Sequence, residues 1–275
     1  MTAENAASTD VTANEDLLLR DDRGAVTWLT LNRPDAFNSL STGLMTRIQQ
    51  ELDKLADDPA CRVIVIAGAG RGFCAGHDLR EVRGNQQDGP FIKAMLEQCS
   101  TMMQSIVNHP KPVIARVHGI ATAAGCQLVA SADLAIAADD AKFATPGVNI
   151  GLFCHTPMVA LGRNVSRKHA MEMLLTGELM SADDAVRFGL VNRTVPAADL
   201  DEAVTAMAER LASKSSYTLK VGKQAFYRQL EAPDLNAAYD YASGVMMENM
   251  VARDANEGIQ AFIDKRPPVW EDRRA

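Results

Sequence analysis

The sequence predicts an α/β fold that ends in a purely helical region. Two patterns indicate this architecture. Short apolar or β-rich runs alternate with helical periodicity up to about residue 196, and helical periodicity alone follows Leu200. The 275 residues are enough for one large α/β domain with a small addition.

The first half of the chain is predicted to contain two strands and two long helices. Residues 25–31 alternate between core-facing and polar side chains, whereas residues 62–67 form an apolar run typical of a buried parallel strand. Ser41 can cap a helix whose leucines and isoleucine recur at helical spacing. Residues 90–107 carry a second such stripe and predict a longer helix.

The second half is predicted to repeat this alternation before the helices take over. One helix begins near Ala123, a second closes at Gly177, and a third opens on Ser181 and closes at Gly189. The predicted strands are residues 112–117, 133–138, 142–144 and 190–195.

We therefore divide the chain into three segments. Residues 1–16 are small, polar and acidic and predict a disordered tail, residues 17–198 an α/β core, and residues 199–275 a helical region. The tail lacks the basic flank and apolar core of a signal peptide and the arginines of a transit peptide. On this basis we expect a cytoplasmic protein.

Charge and cysteine usage exclude several classes of function. The net charge of −7 argues against nucleic acid or an anionic membrane as a partner. No apolar run reaches the length of about 18 residues that a membrane span needs. The five cysteines form no C-x-x-C pair, and the five histidines lack the spacing of metal ligands, so we predict neither a disulfide framework nor a metal site.

Two turns almost free of bulky side chains each follow a predicted buried strand. They are residues 75–77 (AGH) and residues 121–126 (ATAAGC). The first N–H groups of a helix have no internal partner, and small side chains let a ligand oxygen reach them. The same composition also fits close packing of a strand on a helix, and both interpretations stay open. The first turn ends a glycine-rich loop, residues 68–76 (GAGRGFCAG), which does not carry a nucleotide-binding glycine pattern.

At these turns the chain resembles the crotonase (enoyl-CoA hydratase/isomerase) superfamily. The resemblance covers residues 17–270, and residues 143–154 (FATPGVNIGLFC) point to one branch of the superfamily. The matching stretches are residues 31–40 (LNRPDAFNSL), 73–79 (FCAGHDL), 111–115 (KPVIA), 118–119 (HG), 124–128 (AGCQL), 143–146 (FATP), 174–177 (LLTG) and 257–266 (EGIQAFIDKR).

The resemblance implies a spiral of repeated β-β-α units with a C-terminal helical trimerisation region. It implies a homotrimer or a dimer of trimers that binds acyl-CoA thioesters, with coenzyme A as part of the substrate and no separate cofactor. The main-chain N–H groups of His77 and Ala124 would then form an oxyanion hole. Coenzyme A would contact a set of residues of which the last two come from a neighbouring subunit: Arg33, Ala36, Phe37, Ala75, Arg80, Phe262 and Lys265.

The chain departs from this family where a hydratase carries its two glutamates. The corresponding residues are Gln127, which cannot exchange a proton, and Gly147, which has no side chain. Each proton-transfer group typically contributes about 10²–10⁴-fold to a rate, so efficient hydration is not expected. Two hypotheses stay open: an enzyme that stabilises a thioester enolate, or a non-catalytic subunit of fatty-acid metabolism that binds CoA thioesters.

A few other side chains could replace the missing acid–base groups. His155 is one candidate, with Cys154 beside it as a nucleophile, although adjacent residues in a regular element point apart. Asp78 is better placed to cap a helix. His118 is expected to be a packed core histidine, and the two remaining histidines outside the turns, His109 and His169, are expected at the surface.

Overall fold

The computed structural model describes residues 17–271 of the chain. The predicted disordered tail, residues 1–16, lies outside the described residues. Within the described part, helices alone follow the 3₁₀ turn Ala197–Asp199, and the proposed domain boundary at residue 198 stays a prediction.

A six-stranded sheet forms the centre of the α/β part. Its strands are β1 Leu18–Arg23, β2 Val26–Leu31, β3 Val63–Gly68, β4 Val113–Val117, β6 Leu134–Ala138 and β9 Arg193–Val195. Their order is β1-β2-β3-β4-β6-β9, with β1 antiparallel to β2 and the other neighbouring pairs parallel. The predicted mixed fold with a parallel sheet is thus confirmed.

Three short strands form a second sheet, and these are β5 Ile120–Thr122, β7 Lys142–Ala144 and β8 Met180–Ser181. β5 is parallel to β7 and β8 is antiparallel to it. The chain passes from the first sheet to the second at Gly119, which has φ +58° and whose added Cβ would lie 2.2 Å from the carbonyl oxygen of Arg71. Only glycine fits this crossing, because any side chain would overlap the backbone of the neighbouring loop.

Helices pack on the main sheet and then continue beyond it. The helices before residue 199 are α1 Thr42–Asp57, α2 Leu79–Gly84, α3 Gly89–Asn108, α4 Ala124–Ser131, α5 Pro157–Asn164, α6 Arg167–Thr176 and α7 Ala182–Phe188. The C-terminal helices are α8 Leu200–Ala212, α9 Ser216–Gln229, α10 Leu235–Met250 and α11 Arg253–Ile263. The predicted caps form, since the hydroxyl of Ser41 accepts from the N–H of Leu44 and that of Ser181 from the N–H of Asp184.

The continuous apolar run in β3 is explained by burial on both faces of the sheet. Ile64 and Ile66 pack into the large core that includes α1, α3 and α4. Val63 and Val65 face the opposite way, into a smaller core closed by α8. Each fully buried side chain of this size contributes about 1.5–3 kcal/mol, so the strand anchors the turn that follows it.

The sequence patterns missed one strand and overextended another. β1 (LLRDDR) shows no apolar alternation because it pairs on one side only and exposes most of its side chains. The predicted strand over residues 190–195 shortens to Arg193–Val195, since Leu190 and Val191 are core residues that follow the cap of α7. No helix among residues 17–271 is both long and apolar enough to cross a bilayer.

Candidate functional site

The two small-residue turns lie side by side and are joined by main-chain hydrogen bonds. The N–H of Cys74 donates to the carbonyl of Ile120 at 3.1 Å, and the N–H of Thr122 donates to the carbonyl of Cys74 at 2.9 Å. Cys74 and Ala121 therefore pair as an isolated parallel bridge. The turns after β3 and β4 are distant in sequence, but this ladder fixes each against the other.

Close backbone contacts require glycine on both turns. An added Cβ at Gly125 would lie 2.1 Å from the carbonyl oxygen of Cys74. Gly76 has φ +93°, and its added Cβ would lie 2.8 Å from the Cβ of Ala123 and 3.2 Å from the nitrogen of Ala124. The packing explanation for the small residues therefore holds at these two glycines.

Two main-chain donors at this junction have no protein acceptor. Within the described residues, the N–H groups of His77 and Ala124 donate to neither backbone nor side chain. Ala124 is the first residue of α4, where the unpaired N–H groups carry the positive end of the helix dipole. A Cβ added at Gly76 would lie 3.2 Å from the nitrogen of Ala124, so the residue before His77 lies next to Ala124.

Ala123 precedes this donor in a strained conformation. Its φ of +50° is unusual for a residue with a Cβ, and its N–H donates to the carbonyl of Ala144 at 2.9 Å. The carbonyl of Ala123 accepts from the N–H of Gln127 at 3.0 Å and so closes the first turn of α4. These bonds hold an Ala conformation that costs on the order of 1–3 kcal/mol, as is common at functional sites.

The imidazole of His77 lies below the surface beside this junction. Its two ring nitrogens are buried and have no hydrogen-bond partner within the described residues. Burial lowers the pKa of His77. The ring is therefore neutral at pH 7 and is not a strong acid there.

The positions of the two expected glutamates lie on α4 and on the turn that follows β7. Gln127 is 5% exposed, and its Oε1 has no partner within the described residues. Gly147 belongs to the 3₁₀ turn Pro146–Ile150, and its added Cβ would lie 3.0 Å from the carbonyl oxygen of Leu152 and 3.1 Å from Sγ of Cys154. Thr145, which the sequence patterns did not suggest, is also buried there with an unpartnered hydroxyl.

The candidate pair of Cys154 and His155 occupies two different environments. Cys154 is buried, and burial raises its pKa above the usual range of a thiol. The neighbouring Cys126 is also buried, which raises its pKa to about 12. His155 is exposed, and its ring lies 5.1 Å from that of Phe153. Because both thiols stay protonated, neither is an activated nucleophile.

The candidate CoA-binding residues near the first turn surround an ion pair. The guanidinium of Arg33 contacts Asp78 at 2.7 Å and donates to the carbonyl of Ser39 at 2.6 Å. As predicted, Asp78 caps α2, accepting from the N–H of Arg80 at 3.0 Å. Ala36 and Ala75 are half-buried in the adjoining loops.

An additional cation lies over Phe37. The guanidinium carbon of Arg71 is 4.7 Å from the centre of the Phe37 ring, and the N–H of Ala75 donates to the carbonyl of Phe37 at 2.9 Å. The sequence patterns did not indicate Arg71 as a CoA-binding residue, although its place in the glycine-rich loop could have suggested it. The two C-terminal candidates, Phe262 and Lys265, are exposed at the end of α11 and just beyond it.

Two histidines, His109 and His118, differ from their predicted environments. His109 is buried rather than superficial, because its Nε2 contacts the carbonyl of Leu52 at 3.0 Å from a loop packed under α1. His118 is half-buried rather than a core residue, since it is held by Arg116 and by the carbonyl of Gly70. The ring of His169 stacks on Phe188 at 3.4 Å between centroids. Residues 17–271 contain no group of three His, Cys, Asp or Glu side chains that could hold a metal ion.

Comparison with known proteins gives consistent matches over most of the chain. The sequence model described as enoyl-CoA hydratase/isomerase matches residues 21–273. The mitochondrial enoyl-CoA hydratase domain-containing protein 3 of Rattus norvegicus is 47% identical over 242 residues, which are 88% of this chain and 80% of that protein. This is the branch to which residues 143–154 pointed, and that prediction is confirmed.

Solved structures agree with this fold. An enoyl-CoA hydratase from Mycobacterium smegmatis has a TM-score of 0.89 and 49% identity, with coverage of 92% of this chain and 98% of that one. Human enoyl coenzyme A hydratase domain-containing protein 3 has a TM-score of 0.89 and 44% identity, with coverage of 92% and 100%. The crotonase-like architecture expected from the resemblance is thus confirmed.

The names of the relatives contradict the cytoplasmic prediction. The matching proteins of rat, mouse, human and Xenopus laevis are all named mitochondrial. The prediction rested on the composition of residues 1–16 alone, and the names of these relatives overturn it.

Proposed function

The chain belongs to the enoyl-CoA hydratase/isomerase family, and we propose that it binds an acyl-CoA thioester and stabilises its enolate. The observation that carries this proposal is the pair of unpaired main-chain N–H groups of His77 and Ala124. A thioester oxygen bound between them would receive two hydrogen bonds and the field of the α4 dipole. Removal of one such donor typically costs about 10²–10³-fold in rate, so the pair provides most of the stabilisation of an enolate.

The side chains around this hole argue against hydration as the main reaction. Gln127 can orient a water molecule but cannot take its proton, and Gly147 offers no group at all. The neutral ring of His77 and the protonated thiols do not supply the missing carboxylates. Addition of water would therefore be slower by about 10²–10⁴-fold for each lost group.

A reaction that needs no protein base fits these residues better. In a malonyl-type thioester, the bond between the α-carbon and the substrate carboxylate can break, with its electron pair passing into the enolate. Carbon dioxide leaves, and the α-carbon then takes a proton from solvent. The two N–H donors stabilise the charge on the thioester oxygen in this step, so no glutamate is required.

A second candidate function is binding of CoA thioesters without turnover. The absence of a carboxylate at Gln127 and at Gly147 favours it, because binding through main-chain N–H groups needs no acid–base side chain. Such a protein would act as a sensor or as a non-catalytic subunit of fatty-acid metabolism.

Coenzyme A would lie over the first turn. Arg33, Phe37 and Arg80 are close to it, and Arg71 adds a cation at the same edge. In a homotrimer or dimer of trimers, Phe262 and Lys265 would reach the site of a neighbouring subunit. The C-terminal helices support such an assembly through large exposed apolar side chains, namely Phe226, Leu235, Tyr239, Met247, Ile259 and Phe262, the last of which is 85% exposed.

Calorimetry and turnover assays on the purified protein test this function. We expect tight binding of butyryl-CoA, turnover of a malonyl-type CoA, and hydration of crotonyl-CoA far below that of a glutamate-bearing family member. Binding with no turnover of any enoyl-, dienoyl- or malonyl-type CoA would support the second candidate. Absence of binding to every thioester would contradict both.

A further inference from the structure

Asn38 joins the loop after β2 to the loop after β3, which leads to the first donor. Its side-chain Nδ2 donates to the carbonyls of Ala69 and Gly72, each at 2.8 Å, and its Oδ1 accepts from the N–H of Arg33 at 2.9 Å. The residue is 0% exposed, and its carboxamide lies against Gly68, whose added Cβ would be 2.9 Å from Nδ2. The side chain thus ties the end of β3 and the glycine-rich loop to the turn after β2.

The backbone around Asn38 holds the chain on both sides of His77. Phe37 and Asn38 have φ +48° and +54°, two consecutive left-handed residues that reverse the chain direction. Leu40 then donates to the carbonyl of Gly76 at 2.7 Å and accepts from the N–H of Asp78 at 3.1 Å. His77 is the residue between these two contacts, so the segment after Asn38 sets the orientation of its N–H.

We propose that Asn38 is a positioning residue for the His77 donor of the oxyanion hole. This inference rests on the proposed function. Asparagine suits the position because it tolerates a left-handed backbone and supplies two donors and an acceptor from one short side chain. The hydrogen bonds of the carboxamide reach the loops on the His77 side, whereas α4, which carries the Ala124 donor, is held through Ala123 and Ala144. Loss of the carboxamide should therefore weaken one donor and spare the other.

Two substitutions of Asn38 test whether its side chain positions the His77 donor or only stabilises the fold. Asn38→Gly keeps the left-handed backbone accessible but removes all three side-chain bonds. Asn38→Asp keeps the acceptor and the shape but loses both donors to Ala69 and Gly72. Asn38→Ser, with one hydroxyl donor, extends the series if the first two variants do not fold. The matched control is Asn164→Ala, because Nδ2 of Asn164 also donates to two carbonyls, those of Ala130 and Ala160, away from the His77 loop.

The readout is the carbon-13 chemical shift of the thioester carbonyl in labelled butyryl-CoA bound at saturation. In the wild-type protein, we expect the bound carbonyl to move downfield, as hydrogen bonding polarises it. The folded Asn38 variants should lose about half or more of this change, since one of two donors is misplaced, while Asn164→Ala keeps it.

The possible outcomes distinguish a failure of the positioning role of Asn38 from a failure of the proposed function. A full wild-type shift in folded Asn38→Gly, Asn38→Asp or Asn38→Ser would overturn the positioning role and leave the proposed function intact. An unshifted carbonyl in the wild-type protein would overturn the proposed function itself. Equal loss of the shift in Asn164→Ala would mean that any lost hydrogen bond has this effect, which would also overturn the inference.

Discussion

The proposed site has a donor half made of main chain and a side-chain half made of Gln127, Thr145, Gly147 and Cys154. In the donor half, any side chain at Gly76 or Gly125 would crowd the opposite turn, and the N–H groups of His77 and Ala124 are unpaired within the described residues. In the side-chain half, Oε1 of Gln127 and the hydroxyl of Thr145 have no partner within the described residues, and Gln127 and Gly147 stand where a hydratase would carry its two glutamates.

Because of this difference, thioester binding and proton transfer depend on different parts of the site. Main-chain donors are unaffected when side chains are exchanged, as long as the turn geometry is kept. Proton transfer depends on the identity of one or two side chains and is lost when they change. A chain can therefore retain thioester binding while its reaction is altered or lost. The following changes act on one half of the site or on the scaffold that holds it.

Restoring carboxylates to the side-chain half should have the largest effect. We expect Gln127→Glu combined with Gly147→Glu to raise crotonyl-CoA hydration by at least about 10²–10⁴-fold, the contribution of one proton-transfer group, because proton transfer becomes possible. Adding Cys154→Ala should help, since the Sγ atom lies 3.1 Å from the added Cβ at position 147. The absorbance of the enoyl thioester measures the rate. Gly147→Gln with native Gln127 is the control of equal bulk, and no gain from the glutamates would indicate a pocket shaped for other chemistry.

Gly125→Ala should damage the donor half most. Its Cβ would lie 2.1 Å from the carbonyl oxygen of Cys74, so the turns must separate. We expect a loss of about 3 kcal/mol or more in the free energy of unfolding, measured by urea titration, together with loss of butyryl-CoA binding. Gly162→Ala is the control, because nothing lies within 4 Å of its added Cβ. Wild-type stability and binding in Gly125→Ala would show that the turns are not tightly joined.

The sequence predicted the donor half better than its surroundings. Small residues after buried strands follow directly from local pattern, and so do the caps at Ser41, Asp78 and Ser181. The burial of His109 and the bonds of Asn38 depend on loops that are distant in sequence, and local patterns do not contain that information. The left-handed φ of Ala123 could not be predicted either, since the surrounding contacts impose it against the preference of alanine.

Acid should destabilise the scaffold before it affects the donors. Burial lowers the pKa of His109 to about 4, and its ring accepts from the N–H of Lys111 while facing the carbonyl of Leu52. Below the ordinary value of 6.5 the unfolded chain binds a proton that the folded chain refuses until about pH 4. The free energy of unfolding should therefore fall as pH drops from 6.5 to 4, by about 3 kcal/mol in total.

Urea titrations at several pH values test this dependence. His109→Gln should flatten it, because the amide keeps a donor toward Leu52 without titrating. Over the same pH range, the contribution of the two donors to the affinity of the folded protein for butyryl-CoA should not change, because main-chain N–H groups do not titrate there. An unchanged pH slope in His109→Gln would assign the acid sensitivity to other groups.

Ala123→Gly should give the smallest effect. Glycine accepts φ +50° without strain, so we expect the free energy of unfolding to rise by about 1 kcal/mol in thermal or urea unfolding. Ala130→Gly, in the body of α4, is the control and should lower stability by about 1 kcal/mol. A loss of stability in Ala123→Gly would mean that the alanine conformation is not strained.

The central claim is that the main chain alone polarises the thioester. Infrared difference spectra of carbonyl-labelled butyryl-CoA test it directly in the wild-type protein and in Gln127→Ala. We predict that the carbonyl stretch moves to lower wavenumber on binding and that Gln127→Ala leaves this change intact. A bound carbonyl that absorbs at its solution frequency, or a change that disappears in Gln127→Ala, would contradict the claim.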